Sequence, residues 1–63
     1  MDINDAVFTV EEVAEMLRLS KMTVYRLLNN DEISHIRVGR SFRIPGAALD
    51  EFIALQTRKA MLR

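Results

Sequence analysis

Apolar residues fall at helical spacing twice in the first half of this chain, then alternate strictly, then return to helical spacing. Val10, Val13, Ala14 and Leu17 stand at i, i+3, i+4 and i+7, one stripe on a helix of about two turns. Thr9 followed by Glu12 is a capping box, in which each side chain satisfies the other residue's free backbone N–H. Phe8, just ahead of the cap, is placed to staple against the first turn. Arg18-Leu19-Ser20 reads as a turn, with Ser20 as the N-cap of a second helix from Lys21 to Asn29. Val24, Leu27 and Leu28 make the inward face of that helix, which leaves Lys21, Met22, Tyr25 and Arg26 outward. Asn29-Asn30-Asp31 continues a helix poorly and stops one well.

Beyond residue 35 the period becomes two. Ile36, Val38, Phe42 and Ile44 alternate with His35, Arg37, Ser41 and Arg43, which predicts two strands with the apolar set inward and the cationic set outward. Gly39-Arg40 between them suits a two-residue type II′ turn, glycine supplying the positive φ. Pro45 suits the first position of a last helix, where a missing N–H costs nothing. That helix is expected from Gly46 to Met61, with Leu49, Phe52, Ile53, Leu55 and Met61 along its apolar side. Residues 1–7 read as an acidic, mobile arm ahead of one domain over residues 8–63.

Sixty-three residues sit near the lower limit for a core that folds without a staple, and such cores supply about 3–5 kcal/mol of net stability. With no cysteine, neither disulfides nor thiolate–metal sites are available. The apolar runs are too short to span a bilayer and no secretory signal is recognisable, so a cytoplasmic, nucleoid-associated protein is expected. The net charge is zero but segregated. Residues 1–17 carry five acids and no base, whereas residues 18–43 carry Arg18, Lys21, Arg26, Arg37, Arg40 and Arg43 against Asp31 and Glu32. Cations gathered on one surface bind phosphate whatever the total charge.

A helix pair followed by a cationic hairpin fits duplex DNA, whose major groove admits one helix between two phosphate rails. In such a pair the amino-terminal part of the second helix meets base edges. Here that part is Ser20-Lys21-Met22-Thr23, with Tyr25 and Arg26 one turn on. Lys21 and Arg26 can donate to guanine or phosphate, Thr23 can bond either, and Met22 can pack on a thymine methyl. Tyr25 suits the core edge or a phosphate contact, and its place beside Arg26 favours the phosphate. Ser20 is a cap first and a DNA ligand second. Arg37, Arg40 and Arg43, with Ser41 among them, form a finger for the minor groove or the flanking phosphates.

The runs Thr9-Val10-Glu11-Glu12-Val13-Ala14, Ser20-Lys21-Met22-Thr23-Val24-Tyr25-Arg26-Leu27 and Ile36-Arg37-Val38-Gly39-Arg40-Ser41-Phe42-Arg43-Ile44-Pro45 resemble the excisionase family of small DNA-binding domains. That family is related to the winged-helix heads of MerR-type regulators. The resemblance, over roughly Phe8 to Ile53, implies a recognition helix over Ser20–Asn29 and a wing over Ile36–Ile44. Asp31 departs from the pattern where a glycine often ends the helix, and Ser34 where proline is frequent before the wing.

The fold class expected is mostly α, a small winged helix-turn-helix of three helices with a two-stranded β-hairpin wing. The function expected is non-catalytic binding of double-stranded DNA, with no cofactor and no metal: His35 is the one histidine, and neither a cysteine nucleophile nor a glycine-rich phosphate loop is present. Two uses share that surface. One is an excisionase-like architectural factor in DNA recombination, with an integrase as partner; the other is a small MerR-like regulator partnering the transcription machinery. A protein-interaction module, gripping through the acidic first helix and Leu55 and Met61, is the third reading. A monomer in solution is expected, with side-by-side assembly on DNA.

Overall fold

A computed structural model describes residues 6–62, so residues 1–5 of the expected arm lie outside it. The described chain runs β1 (Val7–Phe8), α1 (Val10–Leu17), α2 (Lys21–Asn29), β2 (Ile36–Val38), β3 (Ser41–Pro45) and α3 (Gly46–Met61). It is a small winged helix-turn-helix: three helices and a β2–β3 hairpin, to which β1 adds a third strand in the order β1-β3-β2. Strand β1 is absent from the sequence expectation. It begins at Val7, inside the span read as an arm, and pairs Val7 with Pro45 and Phe8 with Ile44.

The capping box forms as expected. Thr9 N–H donates to Glu12 Oε1 at 2.9 Å and Glu12 N–H donates to Thr9 Oγ1 at 3.1 Å. Both α1 and α2 then end in the same device. Leu19 N–H reaches Ala14 O at 2.9 Å with Arg18 at φ 56°, and Glu32 N–H reaches Leu27 O at 2.9 Å with Asp31 at φ 58°. These are Schellman closures with a side chain in the left-handed position that normally belongs to glycine. The absent glycine therefore leaves the geometry of the α2 stop intact and stores backbone strain in it.

Val10, Val13, Ala14, Val24, Leu28, Ile33, Ile44 and Leu49 form the core, with Phe8, Leu17, Leu27, Phe42 and Phe52 packed around it. Full burial of one such aliphatic side chain is worth about 1.5–3 kcal/mol, so each is a large share of a small domain's stability. Ile33, only 1% exposed, lies between helix and wing and follows no period, which is why the pattern of the sequence does not reveal it.

Three sequence expectations are corrected. The hairpin has the expected two-residue loop, with Gly39 at φ 62°, but its faces are not those expected. The register is Ile36 with Arg43, Arg37 with Phe42 and Val38 with Ser41. Directly opposed residues share a face, and a two-residue loop opposes even-numbered to odd-numbered positions. Phe42 and Ile44 thus point inward together with Arg37, while Ile36 and Val38 stand outward with Ser41 and Arg43. Ile36 and Val38 are 53% and 63% exposed. Secondly, Pro45 is the N-cap of α3 (φ −61°, ψ 142°) and not its first helical residue. The helix instead starts at Gly46, whose N–H bonds Ala6 O at 2.8 Å. Thirdly, the buried side of α3 ends at Phe52; Ile53, Leu55 and Met61 are exposed, since only Ala48, Leu49 and Phe52 among the side chains of this helix pack on the core.

Candidate nucleic-acid interface

Burial of Val24 and Leu28 fixes the roll of α2 on the core. The opposite side then presents Met22, Tyr25, Arg26 and Asn29 at i, i+3, i+4 and i+7, all exposed, with Lys21 at their head. Four of these five residues are among those singled out from the sequence. Asn29 is the addition. Read as part of the helix stop, it also completes the outward stripe, and the i+7 spacing from Met22 was the signal available for it.

Ser20 and Thr23 behave as a local unit. Ser20 Oγ accepts from Thr23 N–H at 3.1 Å and lies 2.9 Å from Thr23 Oγ1. Ser20 is thus a helix cap, and its exposed hydroxyl is also paired with that of Thr23.

Phe42 connects this helix to the wing. Its ring lies edge-on to Tyr25 (centroids 5.9 Å apart, 61°) and to His35 (5.1 Å, 71°), and the Arg37 guanidinium carbon sits 5.3 Å from its centre. The half-buried Phe42 thus holds one residue from α2, one from the loop and one from β2. His35 is fixed in turn, because its Nδ1 donates to Ile33 O at 2.9 Å. Sequence reading treated Phe42 as core and missed this role; the contact is set by the hairpin register, which is invisible in alternation alone. Edge-on aromatic pairs contribute about 0.5–1.5 kcal/mol beyond their buried area.

The face reversal also divides the arginines. Arg37 lies on the Phe42 side, Arg40 is at the tip, and Arg43 lies on the outer side, where its Nη1 donates to Phe42 O at 3.0 Å. Arg40, Ser41 and Arg43 nevertheless converge with Tyr25 and the start of α1 (Thr9, Val10, Glu11) around a cleft of about 100 Å³. Its lining gathers the Arg40 and Arg43 guanidinium groups and the Ser41 and Tyr25 hydroxyls beside the amino end of α1, a set suited to an anionic oxygen. Glu11 is the one acid on its rim. Among the described residues, no group of three or more His, Cys, Asp or Glu side chains could hold a metal ion. No described helix is long and apolar enough to cross a membrane.

A candidate DNA-binding protein of Mycobacterium tuberculosis, found in two strains, is 53% identical over 45 residues, which are 71% of this chain and 58% of the relative. A probable excisionase of Saccharopolyspora erythraea is 41% identical over 51 residues, 81% of this chain and 52% of the relative, in keeping with the excisionase resemblance read from the sequence. The chain therefore spans little more than half the length of these relatives. No solved structure matches it. The family described as "Helix-turn-helix domain" matches residues 7–56. That span runs from β1 into α3 and takes in both helices of the pair and the whole wing, so the chain belongs to the helix-turn-helix domain family.

Proposed function

We propose that this protein binds double-stranded DNA without catalysis, with α2 in the major groove and the wing on the adjacent minor groove or backbone. One observation carries the reading: the outward stripe of α2 is continuous with the wing cations through the Phe42 contacts to Tyr25 and Arg37. In that pose Lys21, Met22, Thr23, Arg26 and Asn29 face base edges or phosphates. Asn29 adds the bidentate pairing that adenine accepts. Tyr25, Arg40, Ser41 and Arg43 close on a backbone phosphate at the cleft, and Arg37 approaches the backbone from the Phe42 side. Ser20 supports Thr23.

The use we infer is that of an excisionase-like architectural factor in site-specific recombination, acting beside an integrase as a monomer that assembles on DNA. The named excisionase relative supports it. The M. tuberculosis relatives, named for DNA binding alone, support the second use, a small MerR-like transcriptional regulator. Recovering and sequencing the genomic DNA retained by the purified protein separates them. Closely spaced sites beside a recombination junction support the first use, and scattered promoter sites the second. No enrichment, with Arg26→Glu and Arg40→Glu leaving DNA affinity unchanged, rejects DNA binding in favour of a protein-interaction module.

A further inference from the structure

From Ile53 onward every described residue of α3 is exposed. Its core-facing residues, Gly46, Ala48, Leu49 and Phe52, lie on one side. At 3.6 residues per turn the opposite side, roughly half a turn away, carries Ala47, Glu51, Ala54, Leu55, Arg58 and Leu62. Glu51, Ala54, Leu55 and Arg58 line one shallow groove, which Leu62, 81% exposed, extends past Arg58. Neither Glu51 nor Arg58 has an opposite charge three or four residues away on α3, where intrahelical pairs form. The helix dipole does not explain Glu51, because its influence fades within the first turn and Glu51 is the sixth residue of the helix.

We propose that this stripe is a self-pairing surface, on which a second copy of the chain docks its own α3 antiparallel. With the two-fold axis between Ala54 and Leu55, Glu51 of each copy faces Arg58 of the other. Ala54 opposes Leu55, and Leu62 opposes the small, exposed Ala47. A parallel pair would oppose Glu51 to Glu51, so the charges select the antiparallel form. Six residues a side are few against the roughly 20–30 of a standard interface. The copies are therefore separate at micromolar concentration and pair where the local concentration is millimolar, as it is for two copies on neighbouring DNA sites if the proposed function holds.

The test needs no DNA, so its outcome is independent of the DNA-binding reading. Sedimentation equilibrium of the full chain at low salt, from about 20 µM to about 2 mM, should show a dimer in the upper range only. Glu51→Arg and Arg58→Glu should each weaken it about five- to tenfold by opposing like charges, and the double reversal should restore it. Helical circular dichroism monitors folding in each variant. Monomer throughout the range, a dimer indifferent to either reversal, or a folded double variant that fails to recover would each overturn the proposal. Should the double variant unfold, Leu55→Glu decides: it sets like charges at the axis, and a dimer that survives it is formed elsewhere.

Discussion

The salt dependence of DNA affinity, measured variant by variant, tests the proposed interface at single side chains. Five exposed cations lie on the α2–wing side: Lys21, Arg26, Arg37, Arg40 and Arg43. Each phosphate neutralised releases condensed counterion and contributes about −0.9 to the slope of log affinity against log salt, so five contacts give roughly −4 to −5. Between 50 and 200 mM salt the wild-type chain should lose about 500-fold in affinity on that slope. Arg40→Ala, at the tip and away from the core, should remove about 0.9 from the slope. The affinity gap between wild type and variant should then narrow about 3.5-fold over the same salt range.

Arg58→Ala supplies the contrast, because Arg58 lies on the solvent side of α3, away from the wing. On a duplex short enough to hold one copy, where pairing through α3 does not enter, it removes the same charge from the chain and should leave the slope within error of wild type. Fluorescence anisotropy with one labelled duplex of mixed sequence suffices, since the phosphate term does not depend on base sequence. If Arg40→Ala shifts affinity by a constant factor at every salt concentration, Arg40 contacts no phosphate. If Arg58→Ala lowers the slope as much as Arg40→Ala does, net charge rather than this face governs binding, and the proposed pose fails.

Three further predictions concern stability. Asp31→Gly relieves a left-handed backbone that costs an L-residue about 1–2 kcal/mol, against a glycine entropy cost of about 0.5–1 kcal/mol, so the urea midpoint should rise modestly. A lower midpoint would show that the Asp31 side chain stabilises its own strained position. Thr9→Ala removes the acceptor of Glu12 N–H and should cost about 1 kcal/mol, a fall of roughly 4–8 °C in Tm by calorimetry. An unchanged Tm would mean that the α1 start is held by β1 and the core alone. Leu28→Ala should cost about 2–5 kcal/mol at a wholly buried site, comparable to the whole stability of a domain this size. Near-complete loss of helical circular dichroism at 25 °C is expected, and a cooperative transition with Tm close to wild type would refute the assigned core.

The helix pair was legible because its determinants are local. The Thr9–Glu12 box, the Ser20 cap and the i, i+3, i+4, i+7 stripes all act within one or two turns, so reading them requires no knowledge of tertiary structure. The wing was legible as two strands but not as two faces. Alternation assigns alternate residues of one strand to one face, whereas the relation between strands depends on loop length, and the two-residue loop at Gly39-Arg40 reverses parity. Strand β1 escaped because two residues are too few to show a period, and its pairing partners, Ile44 for Phe8 and Pro45 for Val7, lie 36 and 38 residues further along the chain. The apolar residues of α3 beyond Phe52 follow a helical spacing whether or not anything covers them, so their spacing alone does not show that they are exposed.

The corrected wing faces alter what the arginines can do as a set. Had Arg37 and Arg43 shared one outer face, with Phe42 buried beneath it, the wing would be a charged blade whose angle to α2 is set by backbone alone. With Arg37 and Phe42 on one face, the guanidinium and the Tyr25 ring meet the same aromatic ring from two elements. A cation held over such a ring is stabilised by about 0.5–1 kcal/mol at exposed sites. The position of the wing relative to α2 is thus fixed through side chains as well as through the chain path. Exposed arginines otherwise lose rotamer freedom when they bind, and side chains ordered at an interface each cost about 0.5–1.5 kcal/mol. Arg37, resting on Phe42, has met part of that cost before any ligand arrives; Arg40, at the open tip, has not. The two should therefore differ in kind, Arg37 governing how the wing is presented and Arg40 adding charge.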